Sequence, residues 1–146
     1  MKTCEEVMTL NPVCCLPTDG VKRAAELMKH ENVGPIPVIE NEQTRKLIGI
    51  ITDRDLVLEV MAEGHDTKST KVETVMTRKM VSCRADDSVQ KAMDLMSKHQ
   101  LRRITIVDQK NVILGIISQA DIATRGNHPE KTAEVVKDIS QPLLNV

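Results

Sequence analysis

The stretch Gly49–Leu56 reads GIITDRDL, and an altered copy of it, GIISQADI, occupies Gly115–Ile122. In each copy a glycine and two isoleucines precede a hydroxyl residue, and an aspartate follows that hydroxyl by three positions. The apolar residues are typical of a buried strand, and Ser or Thr three residues before an acid is typical of a helix start. The stretch therefore predicts a strand that runs directly into a helix, twice in the chain.

The duplication extends well beyond these two stretches. The tripeptide Val7–Thr9 (VMT) recurs as Val75–Thr77, an offset of 68 residues (75 − 7). The register later slips by two residues in a polar turn, where an insertion is readily tolerated. Further identical pairs share the offset of 68: Val13, Cys15, Asp19, Val21, Ala24, Leu27, Met28 and Ile36 match Val81, Cys83, Asp87, Val89, Ala92, Leu95, Met96 and Ile104.

Each copy is predicted to have the order strand, helix, strand, strand, helix. The amphipathic helices follow polar residues that can serve as N-caps, Thr18-Asp19 in the first copy and Asp86–Ser88 in the second. A short tail helix is predicted over 130–139, because Gly126–Pro129 ends the helix before it. The predicted strands are 13–16, 36–39 and 47–51, then 81–84, 104–107 and 113–117.

The predicted fold class is therefore α/β, of the α+β kind, with two repeats of β-α-β-β-α order. We assign 1–62 to repeat 1, 63–73 to a polar linker, 74–126 to repeat 2 and 127–146 to a C-terminal tail with a short helix. One repeat alone has little apolar core, so the two are expected to pack through their sheets with pseudo-two-fold symmetry.

Composition argues against several classes of function. The net charge of −1 provides no field for a polyanion, and without Phe, Tyr or Trp no aromatic ring can stack on a base, so nucleic-acid binding is not expected. No apolar run approaches the roughly 20 residues that cross a bilayer, and the N-terminus shows no signal-peptide pattern, so a cytoplasmic protein is expected. The four cysteines lack metal-binding spacing and are expected to be reduced.

The ordered motifs resemble a tandem pair of CBS domains (the cystathionine beta-synthase type), also called a Bateman module. The resemblance rests on VMT, an amphipathic helix, Ile36–Ile39 (IPVI) and the GIITxxD pattern, and it covers about Met8 to Arg125. The second copy departs from it, since Thr105 stands where proline is usual. With no catalytic, channel or transporter domain beside the pair, the chain resembles the stand-alone members. The resemblance implies a non-catalytic regulatory module that binds AMP, ADP or ATP in the cleft between the repeats and signals to a partner.

Thr52 with Asp55, and Ser118 with Asp121, have two compatible interpretations. One is structural, because a hydroxyl N-cap and an acid three residues later form a capping box. The other is ribose binding, because an ionised aspartate can accept hydrogen bonds from both hydroxyls of a vicinal diol. The resemblance implies the second role, since the matching aspartate of the family typically binds adenosyl ribose, with the hydroxyl residue beside it.

The resemblance also implies which residues contact the phosphates and the base of the nucleotide. The resemblance places Arg102 and Arg103 against the phosphates of a nucleotide whose ribose lies on Asp55, and Arg54 could assist. A solvated surface position is the alternative for each of the three. The Asp121 site would then face uncharged residues and bind more weakly or accept adenosine-like ligands. Backbone and aliphatic groups would hold the base, with core packing as the alternative role for the apolar ones. The candidates are Val13, Cys14, Ile36, Val81, Ser82 and Ile104.

Two alternative functions stay open: a structural protein–protein interaction module with empty sites, and a sensor of S-adenosylmethionine or NAD. An enzyme is not expected, because the four histidines lie in polar stretches away from any nucleophile and only Asp53 offers a second carboxylate beside Asp55. No cofactor is required beyond the regulatory adenine nucleotide. The resemblance implies a homodimer, with Met93 and Met96 as candidate interface residues, although core packing explains them equally well.

Overall fold

The structure, a computed structural model, describes residues 1–142 of the chain. Its helices are Cys4–Val7 (α1), Val21–Glu31 (α2), Asp53–Asp55 (α3), Val72–Val75 (α4), Val89–His99 (α5), Gln119–Arg125 (α6) and Pro129–Ile139 (α7). Its strands are Thr9–Leu10 (β1), Pro35–Ile39 (β2), Leu47–Thr52 (β3), Ser82–Arg84 (β4), Arg103–Val107 (β5) and Ile113–Ser118 (β6). The mixed helix and strand content confirms the predicted α+β fold, and α7 confirms the predicted tail helix.

The residues cluster into two compact units. The first-copy unit consists of Pro12–Met80 and Lys110–Ile113, and the second-copy unit consists of Met1–Asn11, Val81–Gln109 and the described residues of 114–142. Boundaries drawn from the sequence follow the chain in order, whereas in space the N-terminal segment (Met1–Asn11) packs with the second copy.

The second-copy unit contains a four-stranded sheet in the order β1-β6-β5-β4. Strand β1 runs antiparallel to β6, with Thr9 opposite Ile116 and Leu10 opposite Gly115. Strand β4 runs parallel to β5, with Ser82 opposite Thr105. Buried Val and Ile residues dominate β5 and β6, because β-branched side chains fit a pleated, covered surface.

The first-copy unit repeats this arrangement in reduced form. Strands β2 and β3 pair antiparallel, with Ile36 opposite Ile51. A single parallel bridge joins Cys15 to Val38, and a single antiparallel bridge joins Ile50 to Thr77. The order Cys15, β2, β3, Thr77 corresponds to β4, β5, β6, β1 of the other unit. Each VMT tripeptide therefore pairs with the GII strand of the other sequence copy.

Both cores are aliphatic and sulfur-rich, as a chain without aromatic residues requires. Met93 and Met96 are 1% and 0% exposed and lie in the core of the second-copy unit, so of their two predicted roles core packing is confirmed and the interface role is wrong. Helix α7 packs against α5 and contributes Val135 and Ile139 to the same core. No helix within residues 1–142 is both long and apolar enough to span a membrane.

Helices α2 and α5 begin with different capping chemistry. Ser88 is the N-cap of α5, and its hydroxyl accepts a hydrogen bond from Lys91 N at 3.2 Å, as the sequence predicts. Gly20, not Thr18 or Asp19, is the N-cap of α2. The Asp19 carboxylate instead accepts the Leu16 N–H at 2.8 Å and so holds the turn before the helix.

The helix that follows β3 departs from the regular helix expected there. After the short α3, Leu56–Met61 forms a π-helical segment, and Ala62 N donates to Val57 O at 2.8 Å. Its counterpart α6 is a regular α-helix. Three apolar side chains of this segment are exposed: Val57, Leu58 and Met61 are 51%, 41% and 74% exposed.

Candidate functional site

The strand-to-helix junction of the first copy is a closed capping box. Thr52 is the N-cap of α3, and its Oγ1 accepts a hydrogen bond from Asp55 N at 3.1 Å. In return, Asp55 Oδ2 accepts a hydrogen bond from Thr52 N at 2.9 Å. The structural interpretation of this pair is thus confirmed, and the box also fixes where the Asp55 carboxylate points.

The second junction has the same box. Ser118 Oγ accepts a hydrogen bond from Asp121 N at 3.2 Å, and Asp121 Oδ2 accepts one from Ser118 N at 2.9 Å. In both boxes only one carboxylate oxygen is used by the local backbone. Because an ionised carboxylate has about four acceptor positions, each aspartate retains capacity for other donors.

The second oxygen of each aspartate distinguishes the two junctions. Asp121 Oδ1 accepts a hydrogen bond from Thr9 Oγ1 at 3.4 Å and lies 3.9 Å from Arg125 Nη1. In the first-copy unit, no described residue donates a hydrogen bond to Asp55 Oδ1. The Asp55 carboxylate therefore presents one open oxygen, whereas the protein itself contacts both oxygens of Asp121.

The residue that precedes each middle strand lies beside the junction of its own copy. Gly34 O accepts a hydrogen bond from Asp53 N at 3.1 Å, and Arg102 O accepts one from Gln119 N at the same distance. A β-carbon on Gly34 would lie 3.2 Å from Asp53 Oδ1, so a side chain there would be crowded. Glycine therefore stands beside the first junction, whereas arginine contributes the equivalent carbonyl oxygen at the second.

The three predicted phosphate residues differ in exposure. Arg54 is exposed in the first turn after Thr52, and Arg102 is exposed before β5. Arg103 is half-buried as the first residue of β5. Two guanidinium groups are therefore accessible to an anion without rearrangement.

The predicted base residues fall into a buried pair and a half-buried group. Ile36 and Ile104 are 0% and 1% exposed, so their side chains belong to the cores and only their backbone could face a ligand in this arrangement. The half-buried group consists of Val13, Cys14, Val81 and Ser82.

Two polar contacts at the half-buried positions were not anticipated from the sequence. Arg45 Nη2 donates to Cys14 Sγ at 3.7 Å. Ser82 Oγ shares a hydrogen bond of 2.5 Å with Thr105 Oγ1, and Thr105 is only 3% exposed. The departure from proline at Thr105 could have indicated the second contact, because a buried threonine needs a hydrogen-bond partner. The two copies thus present different groups, a thiol and a hydroxyl, at equivalent positions.

Asp53 provides the second carboxylate near the first junction. Asp53 is exposed, and its Oδ1 accepts the N–H of its neighbour Arg54 at 3.0 Å. Among residues 1–142, no three His, Cys, Asp or Glu side chains come together as a potential metal site.

Comparison with known proteins identifies the family. A model of the CBS domain matches residues 4–62 and again 72–127. The CBS domain-containing protein YhcV of Bacillus subtilis is 36% identical over 145 residues, which cover 99% of this chain and 100% of that protein.

Two solved structures share the fold. Hypoxic Response Protein I of Mycobacterium tuberculosis, crystallised with two coordinated zinc ions, is 27% identical with a TM-score of 0.74, over 84% of this chain and 97% of that one. A CBS domain pair in complex with 5′-methylthioadenosine and S-adenosyl-L-methionine is 24% identical with a TM-score of 0.73, over the same shares. The resemblance seen in the motifs is thus confirmed, and the chain belongs to the CBS domain family and carries two copies of that domain.

Proposed function

We propose that this protein is a non-catalytic regulatory module that binds an adenosine-containing nucleotide, with the ribose held first at Asp55. CBS domain pairs are generally regulatory and bind ligands, and a pair of the same fold was crystallised with two adenosine derivatives. For this chain the proposal rests on one observation. The capping box holds the Asp55 carboxylate in place and leaves its Oδ1 open to a ligand.

The chemistry of the first junction suits a cis-diol. Thr52 Oγ1 already accepts a hydrogen bond from Asp55 N, so its own hydrogen is available to a ligand. Asp55 Oδ1 and the remaining lone pair of Oδ2 can accept the two ribose hydroxyls. Because the capping box already orders the carboxylate before the ligand binds, little side-chain entropy is lost when the diol binds.

The rest of the nucleotide is assigned to residues with the matching chemistry. Arg54, Arg102 and Arg103 are proposed to contact phosphate, because a guanidinium fork matches phosphate oxygens. Backbone groups near Val13 and Cys14 are proposed to hold the base. We propose AMP, ADP or ATP as the ligand, with S-adenosylmethionine or NAD as the alternative. We also propose that the protein regulates a partner protein and is cytoplasmic.

Calorimetric titration with each of these ligands and with 5′-methylthioadenosine tests the assignment. Asp55→Asn is the informative variant, since the amide oxygen can still accept the Thr52 N–H while the amide nitrogen presents donors to the diol. We expect its affinity to fall about tenfold or more, because hydrogen bonds to a charged group contribute about 1.5–3 kcal/mol. Asp53→Asn, on the exposed neighbouring acid, is the matched control and should bind like the wild type.

Two outcomes would contradict the proposal. Unchanged affinity in Asp55→Asn would show that the ribose lies elsewhere. The absence of binding or thermal stabilisation with every ligand would favour a structural interaction module, in which the aspartates only cap helices. That second function has its own support in the two closed capping boxes.

We also propose a homodimer formed through the exposed apolar patch Val57, Leu58 and Met61. Exposed apolar side chains that cluster on one helical turn are typical of protein contacts. Sedimentation velocity should show a wild-type dimer and a monomeric Leu58→Lys/Met61→Lys variant. Leu10→Lys changes an apolar residue that is 63% exposed in β1 and should remain dimeric. A monomeric wild type, or a dimer that survives the double substitution, would overturn this assignment.

A further inference from the structure

Arg125 links the second junction to the N-terminal segment. Its Nη1 donates to Val7 O and Met8 O, both at 3.2 Å, and lies 3.9 Å from Asp121 Oδ1. Thr9 Oγ1 donates to the same Asp121 oxygen at 3.4 Å. We call this set of contacts, made by Asp121 with Thr9 and Arg125, the Asp121 latch. It connects the predicted ribose carboxylate to the strand β1 that the N-terminal segment adds to the sheet.

The first-copy unit lacks this latch. The residue that corresponds to Arg125 is Glu59, four positions after Asp55, and it is exposed. A carboxylate cannot donate to backbone carbonyls, and it would repel Asp55. Within the described residues of that unit, no hydrogen bond joins Thr77 to Asp55, although Thr77 pairs with Ile50 through both backbone groups at 2.9 Å.

The contacts that Asp121 makes in the latch are weak enough for a ligand to replace them. The Thr9 hydrogen bond is long at 3.4 Å, and the Arg125 side chain is 49% exposed, so its attraction to Asp121 at 3.9 Å is screened by water. The stronger Arg125 contacts go to the carbonyl oxygens of Val7 and Met8. A ribose diol that offers two donors to Asp121 would therefore compete with one weak hydroxyl bond and one screened charge pair.

We propose that the Asp121 latch keeps the second ribose site closed and couples its occupation to the N-terminal segment. A cis-diol that binds Asp121 displaces Thr9 and Arg125, which loosens the attachment of Val7–Thr9 to α6. The second nucleotide consequently binds more weakly than the first, and the N-terminal segment becomes the element that reports its binding. This inference rests on the proposed ribose function of the junctions.

The experiment uses the full chain with AMP and 5′-methylthioadenosine as probes and with 2′-deoxy-AMP as a diol-free control. Arg125→Gln and Thr9→Val each remove one latch contact but leave the Ser118–Asp121 capping box intact. Glu59→Gln is the matched control at the corresponding position of the first copy. Calorimetry gives the affinity of each site, and hydrogen exchange measures protection of 3–10 against that of 72–78.

We expect the wild type to bind one probe molecule tightly and a second weakly. In Thr9→Val and Arg125→Gln the second site should tighten about fivefold or more, a typical size for coupling between sites, and Glu59→Gln should leave it unchanged. Saturating AMP should raise exchange over 3–10 in the wild type, and 2′-deoxy-AMP should not. Two equal sites in the wild type, or a second site unchanged in both latch variants, would overturn the latch while the ribose function stands. Absence of binding at Asp55 in every variant would instead overturn the proposed function, and the latch with it.

Discussion

Gly115 lies so close to Met8 that a β-carbon on the glycine would stand 2.6 Å from the methionine sulfur and 2.7 Å from the carbonyl oxygen of Thr9. In the first-copy unit, Gly49 lies against Met76 in the same way, at 2.7 Å. A glycine is therefore required in each GII strand at the point where the VMT segment of the other sequence copy lies against it. The VMT and GII motifs, which are separated along the chain, therefore contact each other in the folded protein.

Substitution of Gly115 by alanine should destabilise the protein by about 1–3 kcal/mol, the usual cost of forcing extra volume into a packed site. The Thr9 carbonyl is backbone and cannot move aside as a flexible side chain can. Urea denaturation measures the effect, with Gly20→Ala as the control, because the nearest atom to a β-carbon there is 3.9 Å away and only the weaker N-cap preference of alanine should lower its stability. An equal or larger loss in Gly20→Ala would contradict the steric explanation.

Asp121→Ala should cost more stability than Asp55→Ala. Both substitutions remove the carboxylate half of a capping box, a hydrogen bond that contributes about 0.5–1.5 kcal/mol. Only Asp121 also accepts a hydrogen bond from Thr9 and neighbours Arg125, so its loss removes one further attachment of the N-terminal segment. Chemical denaturation of the two variants beside Asp53→Ala, on an exposed acid, gives the comparison. Equal losses at Asp55 and Asp121 would mean that the Thr9 and Arg125 contacts add no stability.

The four thiols should react at very different rates in the folded protein. Burial raises the pKa of Cys15 to about 12, and the neighbouring Cys83 thiol together with burial raises the pKa of Cys4. Cys83 is itself only 2% exposed. Cys14 is half-buried, and although burial raises the pKa of its thiol, Arg45 offsets part of this effect.

We therefore expect Ellman's reagent at pH 8 to modify Cys14 first and the other three thiols only on unfolding. The variant Cys14→Ser should lack the early phase. An early phase that persists in Cys14→Ser would show that one of the buried thiols becomes accessible in the native state.

The stability contributed by Asp87 should depend on pH. The Arg84 N–H, at 2.8 Å from Asp87 Oδ2, lowers the pKa of this carboxyl below its ordinary value of 3.8, with Lys91 contributing at 3.3 Å. A depressed pKa in the folded state means that the contribution is complete above the ordinary value and is lost as the pH falls through the folded value. Asp87→Asn should therefore be less stable than the wild type at pH 7.

That difference should shrink in thermal unfolding as the pH is lowered below about 3.8, the ordinary value for the group. Asp86→Asn, on the exposed neighbouring acid, is the control and should show a smaller difference at pH 7. A gap between Asp87→Asn and the wild type that stays constant from pH 7 to pH 3 would exclude the ionised carboxylate as its source.

Local sequence rules predicted the local parts of the site well. A hydroxyl and an acid three residues apart predicted both capping boxes, because such a contact depends only on the helix turn that joins them. The same rules failed where a neighbour far along the chain decides the outcome. The buried position of Met93 depends on the cover provided by α7, and nothing near Cys14 in the chain indicates that Arg45 lies beside its thiol.

The sequence by itself determined the duplicated unit, its order of strands and helices, the family and the position of the two aspartates proposed to bind ribose, since all of these depend on spacing and residue type. Only the tertiary structure decided that each VMT segment joins the strand of the other copy and that Asp121, unlike Asp55, is contacted by Thr9 and Arg125. The physical reason is that strand pairing and hydrogen bonds between distant residues depend on which surfaces the folded chain brings together. Identical motifs can therefore acquire different neighbours, and one copy's carboxylate is open while the other's is held.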